Sequence, residues 1–83
     1  SGYYKNLRKN RGLVKQYSSA VNIIEFYGLV FFINKFNLNE GKVYEFVLGA
    51  LENSNIENDF GTSDHGLVLE SFDEFYHSIN EKN

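Results

Sequence analysis

Apolar residues recur at helical spacing in two long stretches of the chain, and the period changes after the second. Leu7, Val14, Tyr17, Val21 and Ile24 are three, four or seven apart, which places them on one helical face. Leu13, Ala20 and Tyr27 widen that stripe. The spacing predicts a first helix over about residues 7–27. Gly12 weakens its start by about 1 kcal/mol relative to Ala, so residues 1–11 are expected to fray. Gly28 follows the last periodic residue, where a left-handed cap residue belongs. Leu29-Val30-Phe31-Phe32-Ile33 is too short and too uniformly apolar for periodicity to decide. It reads as an extended piece at Leu29-Val30 leading into a short helix to Phe36, broken by Asn37-Leu38-Asn39.

Val43, Phe46, Val47, Ala50 and Leu51 mark i, i+3, i+4, i+7 and i+8 and predict a third helix over about residues 40–53. Asn39 suits its N-cap, Leu38 is placed to staple onto Val43, and Glu40 sits where the dipole favours an acid. Beyond Asn53-Ser54-Asn55, Ile56, Asn58 and Phe60 alternate with polar neighbours, and Leu67-Val68-Leu69 forms a second β-prone run. Turn-forming residues, GTSDHG, lie between them. This predicts a β-hairpin. Ser71 and Glu74 have capping-box spacing, and Phe72, Phe75, Tyr76 and Ile79 predict a closing helix to about Asn80.

The element order, the Tyr27-Gly28-Leu29-Val30 junction and the hairpin together resemble a winged-helix domain over about residues 13–80. The resemblance implies a mostly α fold with a β-hairpin, that is, α+β. It would have a three-helix core, a hairpin wing at about 56–70 and a C-terminal helix. Residues 1–12 would form a basic N-terminal arm and residues 13–83 one winged-helix-like domain. It also implies that the third helix would be the one to enter a DNA major groove.

Composition narrows the chemistry. Eighty-three residues suit one small domain that buries about 60–65% of its unfolded surface. Eight Phe and six Tyr compensate for the short chain, because each ring buries a large area. The absence of Cys excludes disulfides and thiolate metal sites and agrees with a cytoplasmic setting. No apolar run approaches the roughly 20 residues of a membrane span. There is no Met, and Ser1-Gly2 reads as a cloning remnant on a processed or excised chain. The net charge of −3 is unevenly spread: residues 1–16 carry +5 and the remainder −8.

The loop Asn58-Asp59-Phe60-Gly61-Thr62-Ser63-Asp64-His65-Gly66 contains DFG, but the Gly-rich loop, strand Lys and catalytic-loop Asp of a kinase are missing. Asp59, Asp64 and His65 would need a third or fourth convergent ligand to hold a metal, which Glu57 or Glu70 would supply only if the hairpin curled sharply. Neither His65 nor His77 stands at a recognised spacing from a serine nucleophile. Gly, Asp, Ser and Thr are what a tight solvated loop is made of. The reading is therefore non-enzymatic, with no cofactor and no metal.

Two functions remain. The first is a regulatory interaction domain that binds another protein or a second copy of itself through Tyr44, Glu45, Leu48 and Glu52 on the outer face of the third helix. The alternative is a nucleic-acid-binding transcriptional regulator contacting phosphates through Lys5, Arg8, Lys9, Arg11 and Lys15, with Lys42. Against the alternative, the outward positions of the third helix carry Lys42 against Glu45 and Glu52, with Glu40 at its start. The expected wing holds Asp59 and Asp64 and no cation, so the usual DNA-reading surface has the wrong sign.

Overall fold

A computed structural model describes residues 16–81. The basic arm at 1–12 lies outside them, as do Leu7, Leu13 and Val14 of the predicted first stripe. Among the described residues the chain forms α1 (Gln16–Tyr27), α2 (Leu29–Phe36), a 3-10 turn (Glu40–Lys42), α3 (Val43–Glu52), α4 (Ile56–Gly61) and α5 (His65–Glu81).

Gly28 divides α1 from α2. Its φ of 101° is strained for any residue with a Cβ. Its N–H donates to the Ile24 carbonyl at 2.7 Å, and its own carbonyl accepts from Phe32. One residue thus ends a helix and starts the next, with an 84° bend between them. Leu29-Val30, expected to be extended, is the first turn of α2 instead.

The core gathers Ala20, Ile23 and Ile24 of α1, Phe32 and Phe36 of α2, five residues of α3, Ile56, and Val68 and Phe72 of α5. The α3 set is Val43, Phe46, Val47, Ala50 and Leu51, the five positions predicted from periodicity. Phe72 is central: its ring lies 5.2 Å from Phe32 and 6.0 Å from Phe46, centroid to centroid. Tyr17, expected on the buried stripe, is 53% exposed, and Ile23 is buried in its stead. Asn39 makes no side-chain cap bond.

The α+β expectation is overturned. No strand occurs among the described residues, and the hairpin wing at 56–70 is instead α4, a short loop and the first turns of α5. Ile56 and Phe60 are four apart, a spacing that satisfies both a period of two and a period near 3.6. Here it serves the helix, with Ile56 fully buried. Val68 sits four residues before Phe72, so the Leu67-Val68-Leu69 run continues the stripe of the closing helix backwards rather than forming a strand. The loop shrinks to Thr62-Ser63-Asp64, with Ser63 at φ 60°. Asp64 caps α5 by accepting the Leu67 N–H on Oδ1 at 3.2 Å. Ser71, the predicted cap, lies inside α5.

Candidate functional site

α3 and α5 pack side by side and leave a groove between them. Gly49 allows this approach: a Cβ there would lie 2.7 Å from Cζ of Phe75. Phe75 also packs on Phe46, 5.5 Å between centroids. The groove, about 460 Å³, is lined by Leu38, Phe46, Gly49, Phe75 and Ile79, with Lys42 and Glu45 on its rim. A second cavity of about 290 Å³ shares Phe75 and Ile79 with the groove and is otherwise polar, lined by Asn53, Ser54, Ser71, Glu74 and Ser78. The groove is therefore walled by hydrocarbon and the adjoining cavity by hydroxyl, amide and carboxylate groups.

The charge around it is lopsided. The described residues hold two lysines against eleven acidic residues. Lys42 pairs with Glu45 at 3.2 Å and Lys35 with Asp73 at 3.7 Å. Both pairs are solvent-exposed, so each contributes little stability, but each offsets the local positive charge.

The residues singled out from sequence are divided by the structure. Glu45 stands on the groove rim beside Lys42. Glu52 is exposed. Tyr44 turns toward α1, where its ring stacks on Tyr17 at 5.6 Å and 11°. Leu48 is half-buried against the core. Lys5, Arg8, Lys9, Arg11 and Lys15 lie outside the described residues. Sequence reasoning missed Leu38, Phe75 and Ile79 as surface-lining groups. A glycine in mid-helix, at a cost of about 1 kcal/mol, was the available signal that something approaches α3 at Gly49.

A second cluster sits where α1, α4 and α5 meet. The Tyr27 hydroxyl donates to Nδ1 of His65 at 2.8 Å when the imidazole carries its proton on Nε2. Phe26 stacks on the His65 ring at 4.9 Å and 11°, and Phe60 closes edge-on against Phe26. Burial pushes the Tyr27 phenol above its ordinary pKa. His65 is thus held as a packing group. His77 lies twelve residues further along α5, about 18 Å away by helical rise, and the two do not converge. No group of three or more His, Asp or Glu able to hold a metal occurs among the described residues.

No single helix among the described residues is long and apolar enough to cross a membrane. α1 and α2 reach that length and hydropathy only as a pair, bent by 84°. Their residues Ala20, Ile23, Ile24, Phe32 and Phe36 are buried in the core. No protein-family model, curated protein or solved structure matches the chain.

Proposed function

We propose that the domain is a non-catalytic interaction module that docks another protein in the α3–α5 groove. The observation that carries this is the groove itself: an apolar floor between two helices, on a body with eleven acidic residues and two lysines among those described. Apolar floors with polar rims are how protein surfaces bind protein segments. The groove offers Ile79, 36% exposed, as an accessible apolar contact.

Nucleic-acid binding through the +5 charge of residues 1–16 is the competing reading. Two measurements separate them. Fluorescence anisotropy of a labelled DNA duplex, titrated with the full chain at low and near-physiological salt, should show no binding. Tight binding that weakens steeply with salt would overturn the docking proposal. In parallel, partner capture by the wild-type chain should be lost with Ile79→Glu. Retention of the same partner by that variant would move the interface away from the groove.

A further inference from the structure

Resting on the docking reading, we infer that the groove takes an amphipathic α-helix of another protein, with Lys or Arg flanking its apolar stripe. Three observations lead there.

The first is the mode of recognition. Strand addition needs a free sheet edge, and the described residues contain no strand. Two packed helices with an apolar trough between them instead fit the helix-in-groove mode, read by anchors at i, i+3 or i+4, and i+7. α3 spans ten residues, about 15 Å by helical rise, which accommodates an occupant of about three turns.

The second is charge. Glu45, paired with Lys42, borders the apolar groove, and Glu74 lines the polar cavity beside it. Lys42 and Lys35, the described cations, already pair with Glu45 and Asp73. An incoming carboxylate would meet a net negative body. An incoming Lys or Arg would meet Glu74, which makes no ion pair among the described residues, on a body where those residues hold eleven acids and two lysines, and this steers encounter and fixes orientation.

The third is the contrast between the groove and the polar cavity that adjoins it at Phe75 and Ile79. The groove lined by Leu38, Phe46 and Gly49 accepts hydrocarbon, and Phe75 and Ile79 line both it and the polar cavity. The adjoining cavity places Glu74 among Ser71, Ser78 and Asn53, acceptors suited to a guanidinium or ammonium group. The occupant therefore carries its apolar anchors toward Leu38 and a basic residue toward Glu74.

The test is an NMR titration of the ¹⁵N-labelled full chain with synthetic peptides. One peptide is an amphipathic helix with leucines at i, i+3, i+4 and i+7 and flanking lysines and arginines. The second keeps the leucines and replaces the cations with Glu. The third is the chain's own segment 3–15. The basic peptide should shift the amides of Gly49, Phe75 and Ile79, and the acidic peptide should bind at least tenfold more weakly. Glu45→Lys with Glu74→Lys, both exposed sites, should weaken the basic peptide about tenfold and narrow its advantage over the acidic one. Equal binding of both peptides would overturn the charge assignment while leaving docking in place. Shifts that map elsewhere, or no shifts at all, would overturn the helix assignment. The docking reading would then still stand if Ile79→Glu abolished capture of a partner. Tighter groove binding by the 3–15 segment would make a second copy the occupant and overturn the assignment to another protein.

Discussion

Gly49 and Phe75 are fitted to one another: a Cβ on Gly49 would stand 2.7 Å from the Phe75 ring, closer than carbon atoms approach without displacement. Gly49 therefore sits in mid-helix for the room it leaves. The approach it permits brings α3 against α5 and sets the depth of the groove.

Gly49→Ala should lower stability by about 1 kcal/mol. Overpacking costs about 1–3 kcal/mol, and the gain in helix propensity returns about 1 kcal/mol. In a Phe75→Leu background the same change should become neutral or stabilising. Urea unfolding of the four chains in this double-mutant cycle decides it; an equal loss in both backgrounds would show that the two positions are uncoupled.

Tyr27→Phe should cost about 1 kcal/mol, the usual net value of one hydrogen bond, since His65 Nδ1 loses its donor. The pH dependence carries a sign. Burial favours the neutral phenol, so the folded chain holds that proton more tightly than the unfolded one. The resulting stability is fully present below the unfolded pKa of about 10 and is lost as pH rises through the higher folded value. Wild type should lose stability above about pH 10 more steeply than Tyr27→Phe. Matching alkaline profiles would exclude Tyr27 as the group responsible.

Asp64→Ala should cost about 1 kcal/mol, because Asp64 caps α5. Ser71→Ala should stay within about 0.5 kcal/mol, as for a site inside a helix away from the core. Amide exchange should quicken at His65–Leu67 in the first variant only. The reverse pattern would restore Ser71 as the start of the closing helix.

Phe72→Ala should cost about 3–5 kcal/mol, the range for truncating a buried ring. The side chain is fully buried, with Phe32, Phe36 and Phe46 around it. In a domain whose total stability is on the order of 5–15 kcal/mol, thermal unfolding followed by circular dichroism should show a large drop in midpoint. A small drop would mean that the core closes around the vacancy.

α3 was legible residue by residue because its apolar period is unambiguous: Val43, Phe46, Val47, Ala50 and Leu51 are all buried. Gly28 was legible as a helix end because few other residues tolerate its φ. The span 56–70 was misread because Ile56 and Phe60 satisfy two periods at once, and Leu67-Val68-Leu69 favours a strand by local preference. The groove was legible only in part. Lys42 and Glu45 are on its rim, but its far wall comes from α5, more than twenty residues away in sequence.

The sequence alone determined the location of α3, the break at Gly28, the absence of cysteine chemistry and the division between a basic start and an acidic remainder. These depend on residue type and on spacing within a few turns. Tertiary structure decided between helix and hairpin over 56–70, because burying Ile56 and Val68 in the common core outweighs a weak β preference. It also decided which apolar residues line the surface, because that depends on how closely α5 approaches α3, and a single missing Cβ at Gly49 permits that approach.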